Sequence, residues 1–220
     1  MSLFDVLFRG SPSPLLEKSF QDLGEMVEQS QRMFDESVAG LLNNAEISVN
    51  LEEMDDFVDD REREIRRRVL EHLAYDPKRD MVASLVMVTM VHDAERLGDY
   101  ARGLSELIPL AKGPRSGPFN QRLKDLAGRL RPLFGEAKKA LQEDDAEKAG
   151  QIMSDCRALK KEFLAFTAEI AASSLEADKA VVYASGARMM RRMGSHLSNL
   201  ASAIHLPYDQ IRRDVEDSSD

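Results

Sequence analysis

The sequence predicts an all-α protein: six long helices forming a tandem repeat of two antiparallel three-helix bundles. Three observations carry this reading. Apolar residues recur at three- and four-residue spacing along most of the 220 residues, the period of a half-buried helix. Only 12 glycines and 8 prolines punctuate the chain, too few for the many turns of a sandwich or barrel. A stretch late in the first half also returns, in register, late in the second. With 43% hydrophobic and 31% charged residues, the composition is that of a globular chain.

The elements follow in order. "SPSP" (11–14) is a helix-start signal. Leu16, Phe20, Leu23, Val27, Phe34, Val38 and Leu41 then mark an amphipathic helix of about 30 residues. "NNAEISVN" (43–50) is the turn. In the second helix Leu51, Met54, Val58, Ile65, Val69 and Leu73 face inward. Its outer side carries "REREIRRR" (61–68), where Glu62–Arg66 and Glu64–Arg68 are i,i+4 pairs, most simply a solvated salt ladder. "YDPKRD" (75–80) breaks the chain, because Pro77 disfavours helix in the residue before it.

The third helix covers 81 to about 108. It opens on the uncharged run "MVASLVMVTMV" (81–91), which reads as thoroughly buried, and Met87, Met90, Ala94, Leu97, Ala101, Leu104 and Ile108 form its core stripe. The methionines suit flexible core filling. "PLAKGPRSGPFNQ" (109–121), with three prolines and two glycines, is the linker. It divides a first repeat, 1–110, from a second, 122–220, across 111–121. Leu123, Leu126, Leu130, Phe134, Ala137 and Leu141 mark a fourth helix, Ile152 to Ile170 a fifth and Ala180 to Ile204 a sixth. A shift of 96 residues lays "ERLGDYARGLSELI" (95–108) over "RRMGSHLSNLASAI" (191–204), matching Arg96 to Arg192, Gly98 to Gly194, Leu104 to Leu200 and Ile108 to Ile204. A mid-helix glycine costs about 1 kcal/mol against alanine, so one at the same place in both halves points to close helix approach.

A net charge of −9 argues against nucleic acid, which needs a basic surface. Cations and basic protein surfaces are the natural partners. The single cysteine, Cys156, precludes an internal disulfide and reads as a small core residue in a reducing compartment. The uncharged segment 81–92 is too short to span a bilayer, and no leader pattern opens the chain. A cytoplasmic protein is expected. Leu3, Phe4, Leu7 and Phe8 suggest a docked or frayed helix extension, with a membrane or partner hook as the alternative. His72, His196 and His205 read as isolated surface or edge histidines. No phosphate loop, H-E-x-x-H or nucleophile elbow occurs, so no enzyme is expected.

The chemistry concentrates in "HDAERLGDYARG" (92–103). Glu95 and Asp99 leave one face of the helix, with His92 three residues earlier on that face. A hairpin closing near 77–78 sets Glu95 level with Asp60 and Asp99 level with Asp56, and brings Asp35 and Glu36 near the same height. Like charges this close repel unless a cation sits among them. Oxygen donors suit magnesium, calcium or manganese, and an imidazole widens the choice to iron or zinc. A solvated acidic face is the other reading, since Glu95 and Asp99 lie opposite the core stripe.

"ERLGDYARGL", after a long apolar run and with "DDREREI" on the helix before, resembles the E/D-x-x-x-D motif of PhoU-type phosphate-regulatory proteins. The resemblance covers both repeats. It implies a cytoplasmic regulator that restrains phosphate uptake or phosphate-starvation signalling by docking to a phosphate transporter or a sensor histidine kinase, reaching the membrane only through that partner. Homo-oligomerisation is compatible with it. It also implies an iron or zinc site, with Glu95 and Asp99 as the first ligands and Asp60 and Asp56 as the next. The second half departs: "RRMGS" (191–195) has lost both acids, so metal is expected in repeat one at most. Arg188 and Arg191 would make ordinary salt bridges or else hold an anion or a partner carboxylate. A metal-storage bundle and a purely structural scaffold are the competing functions.

Overall fold

A computed structural model of the chain describes residues 13–76, 78 and 80–212. Six long helices account for most of them: α1 (Pro14–Asn43), α2 (Leu51–Tyr75), α3 (Met81–Glu106), α4 (Pro118–Glu143), α5 (Ala146–Ala171) and α6 (Ala177–His205). Short 3-10 turns follow α3 and α6, and no strand occurs among the described residues. None of the described helices is long and apolar enough to cross a membrane.

Local chemistry sets the helix ends. Ser13 accepts the Leu16 N–H at 3.3 Å, with proline at the first helical position of α1. Asn44, in the left-handed region at φ 57°, closes that helix. Asn50 caps α2 by accepting from Glu52 and Glu53, and Asp145 caps α5 by accepting from Lys148 at 2.9 Å. The Asp145 cap starts α5 at Ala146, six residues before the apolar stripe begins. The expected linker likewise ends early, since Pro118 opens α4.

Within the first bundle α1 packs on α2 and α3; within the second, α6 packs on α5 and α4. The bundles join through α1 against α4 and α3 against α6, corresponding helices in each case. Internal pseudo-symmetry is therefore present in the contacts. The core is nonetheless continuous across the join, where the Phe34 and Phe134 rings lie 5.5 Å apart. The predicted stripes are its substance: Leu23, Val27, Ile65, Leu97, Leu104, Leu130 and Phe134 are all fully buried. At about 25 cal/mol per Å², stripes of this size outweigh the modest helix propensity of the charged outer faces.

Two expectations change. The run 81–91 is buried on one side only, for Met81, Val82, Leu85 and Val88 remain 39–48% exposed. The basic run of α2 is more than a solvated ladder. Glu62–Arg66 and Glu64–Arg68 pair as expected, but Arg61 also reaches Glu25, and Arg68 reaches the fully buried Asp22, both on α1. Hydrogen bonds from Lys18 and Arg68 overcome the cost of burying Asp22 and hold its carboxyl below the usual range. The 111–117 segment is also tied down. Arg115 donates to the Leu41 carbonyl at 2.7 Å and exchanges bonds with Asn44, capping the end of α1, while the Lys112 N–H donates to Asp178. The apolar residues at 3, 4, 7 and 8 lie outside the described residues.

Candidate metal centre

The site lies where α3 runs alongside α2. Gly98 allows the approach: a Cβ there would stand 3.3 Å from Asp55 Oδ1 and 3.4 Å from Val58 Cγ1. Its counterpart Gly194 is buried too, with Leu130 of α4 at 3.6 Å from a Cβ. This contact draws α2 over the side of α3 opposite its core stripe, covering the acids that the helix pattern alone assigns to solvent.

Glu62 of α2 meets His92 and Glu95 of α3, each offering a ligand atom within 4.8 Å of the others. The Glu95 side chain is 14% exposed, and its Oε2 is buried without a hydrogen bond. Burial first, then the neighbouring Asp99, pushes the Glu95 carboxyl up to about 7. Burial and the nearby Arg96 move His92 down, favouring the neutral imidazole that a metal requires. Arg96 lies 3.3 Å from Glu95 Oε2 and donates to Asp99 at 2.7 Å, a resident cation joining both carboxylates. Asp55 is also raised, chiefly by burial, while accepting from Arg102 at 2.7 Å.

Two carboxylates and an imidazole form a mixed O/N donor set suited to iron, zinc or manganese. The desolvated Glu95 oxygen, ion-paired with Arg96 but without a hydrogen bond, is the atom a divalent cation would satisfy. A divalent ion there would displace Arg96 from Glu95 while leaving it free to keep Asp99.

The structure thus brings Glu95 and Asp99 together around Arg96, and adds Glu62 and His92. It does not bring in Asp56 or Asp60. Both are exposed, and Asp60 pairs with Arg63 at 2.8 Å. Counting residues back from the hairpin gives height, but successive helical side chains diverge by about 100°, and the face turned to α3 carries Asp55, Asp59 and Glu62. Their i, i+4, i+7 spacing was the available signal. Asp35 is drawn away by Arg131 of α4, at 2.7 and 2.8 Å in a bidentate pair.

A second polar centre went unforeseen. Asp93, 1% exposed, accepts from Asn199 at 2.9 Å and from Arg212, and lies 2.8 Å from His196 Nδ1. His196 stacks on Tyr100, and His72 is buried on α2. Neither is an isolated surface histidine, because the packing of α3 on α6 and of α2 on its neighbours is invisible to a one-helix reading. His205 is exposed as expected, bonded to the Ala146 carbonyl.

Residues 23–108, the part that carries the acidic face, match the family model of the PhoU domain. Over 205 residues the chain is 23% identical to a phosphate-specific transport system accessory protein, PhoU homolog 1 of Thermotoga maritima, spanning 90% of this chain and 84% of that one. Among solved structures, PhoU from Pseudomonas aeruginosa superposes with a TM-score of 0.78 at 20% identity, covering 86% of this chain and 95% of that one. The phosphate transport system regulatory protein PhoU from Streptococcus pneumoniae gives 0.77 at 14% identity, covering 86% and 92%. At those identities the likeness establishes a shared fold.

Proposed function

We propose that this chain, whose residues 23–108 match the PhoU domain, is a regulatory adaptor of phosphate uptake or phosphate-starvation signalling. The domain is a regulatory module, not a catalytic one. The observation that carries the proposal is the coincidence of this domain match with a six-helix fold shared, over most of its length, with two solved PhoU proteins, one of them described as a phosphate transport system regulatory protein. The adaptor works by docking its rigid helical surface to a phosphate transporter or sensor histidine kinase, and any membrane association runs through that partner. The two functional repeats are assigned to 1–110 and 122–220, with 111–121 as the strap between them.

Repeat one holds a divalent metal, iron or zinc by its donor set. Glu62, His92 and Glu95 are the ligands, and Asp99 stays paired with Arg96 beside them. Binding there exchanges the Arg96–Glu95 contact for a metal bond and ties α2 to α3.

Deleting the gene while following a phosphate-starvation reporter tests the adaptor role. Derepression in phosphate-replete medium is expected, restored by the wild-type chain; an unchanged reporter overturns the proposal. Metal analysis after loading with Fe(II) or Zn(II) tests the site separately. Glu62→Ala/Glu95→Ala loses the bound metal, whereas Asp56→Ala/Asp60→Ala retains it; equal metal content in both variants overturns the assignment.

A further inference from the structure

The counterpart of the acidic site in repeat two has the opposite charge. Buried positions align α2 with α5, Leu51 with Ile152, Val58 with Leu159 and Ile65 with Phe166, a shift of 101 residues. The 96-residue shift aligns α3 with α6. The two shifts agree in space: Asp55 bonds Arg102 in repeat one, and their counterparts Cys156 and Ser198 touch in repeat two. By this mapping Asp59 becomes Lys160, Glu95 becomes Arg191 and Asp99 becomes Ser195. Arg157 and Arg192 stand beside them.

These residues line a pocket of about 250 Å³ between α5 and α6. Arg157, Lys160, Arg191, Arg192 and Arg212 all contribute to its wall, and no carboxylate does among the described residues. Arg212 is engaged by Asp93 and the Thr89 carbonyl. Arg157, Arg191 and Arg192 have no ion pair among the described residues, in a chain that pairs most of its other arginines and carries a net charge of −9. The salt bridge expected of Arg191 is thus absent there. Like charges facing one concavity repel through a medium of reduced dielectric, and an anion removes that cost.

We propose that this pocket binds a tetrahedral oxyanion: a free phosphate ion or the phosphoryl group of a small phosphate ester. Donors come from two helices and several directions, Arg157 on α5 and Arg191 and Arg192 on α6, with Ser198 also in the wall. Such a set matches an ion with four acceptor oxygens better than a planar carboxylate, which two donors saturate. The volume is below the roughly 300–1,000 Å³ of pockets that enclose drug-sized ligands, so the ligand is small. The duplicated fold then carries a cation site in one repeat and an anion site in the other, at equivalent heights.

Calorimetric titration of the full chain with inorganic phosphate, and separately with glycerol phosphate, tests this and distinguishes the two sources. Expected is one site per chain for at least one of them, weakened at least about tenfold by Arg191→Ala or Arg157→Ala, since each removes a charge-assisted contact. Arg188→Ala, exposed on α6 outside the pocket wall, leaves the affinity unchanged, and Arg191→Lys retains part of it. Thermal melts verify that each variant is folded. The same titrations are run on the full-length Asp214→Asn/Glu216→Gln/Asp217→Asn/Asp220→Asn variant, which neutralises acids that follow Arg212 in sequence. Binding in either background with the stated arginine dependence supports the site. No heat from either ligand up to about 10 mM in both backgrounds, or equal affinity in wild type and Arg191→Ala, overturns it.

Discussion

Replacing Glu95 by glutamine probes the centre most directly, because it removes a charge that the fold opposes. The Glu95 carboxyl is pushed up from 4.5 to about 7, so the folded chain takes up a proton between those values that the unfolded chain does not hold. Wild-type stability accordingly falls as pH rises from 4.5 to 7 and then levels off. At about 1.36 kcal/mol per unit, the ionised carboxylate costs roughly 3 kcal/mol at pH 8 and under about 1 kcal/mol at pH 5. Glutamine mimics the neutral form. Glu95→Gln should therefore stabilise the metal-free protein by roughly 2–3 kcal/mol at pH 8, raising Tm by about 5–10 °C for a chain of this size, with little change at pH 5. Adding Zn(II) or Mn(II) should raise the wild-type Tm and leave the variant unmoved, since the ligand is gone. Thermal melts at the two pH values, with chelator and with metal, read all of this. A variant no more stable than wild type at pH 8, or equally stabilised at both pH values, refutes the reasoning that burial strains this carboxylate.

Other perturbations follow from the same packing. Asp93→Ala strands His196, Asn199 and Arg212 at the α3–α6 join and should cost about 3–5 kcal/mol in urea unfolding; a loss under about 1 kcal/mol would mean the buried cluster behaves like a surface pair. Gly98→Val places methyl groups against Asp55 and Val58 and should cost about 2–3 kcal/mol by overpacking, whereas Gly128→Ala, with nothing within 4 Å, should gain about 0.5–1 kcal/mol from helix propensity; the same sign for both would refute the close approach of α3 to α2. Cys156 is 4% exposed, and its thiol is pushed up to about 12 by burial, then by Asp155 and Glu136, so a thiol reagent at pH 8 should react far more slowly with the folded chain than with the unfolded one; equally rapid labelling of both would contradict that placement.

The apolar period was sufficient for the helices, because each one buries a stripe whose spacing is written in its own residues. Leu16 to Leu41 and Leu123 to Leu141 needed no neighbour to be recognised. Caps were less legible. Asp145 starts α5 six residues ahead of its stripe, since capping depends on one side chain meeting one N–H, a signal that carries no period. Glu95 and Asp99 were visible as a pair because four residues return a helix to the same face.

Their surroundings were not visible. Glu62 lies inside a run that reads as a surface salt ladder, and only the contact at Gly98 turns it toward His92. Asp93 and His196 are 103 positions apart, and each reads as an ordinary helical residue until α3 and α6 are packed together. The sequence by itself determined the six helices, their duplication, and the loss of acids from the second copy. Tertiary structure alone decided which carboxylates share a site, which histidine joins them, and that the altered copy gathers its arginines into a pocket. The reason is geometric: periodicity along one helix defines faces, but the azimuth and register between helices arise from close packing of side chains that are distant in the chain.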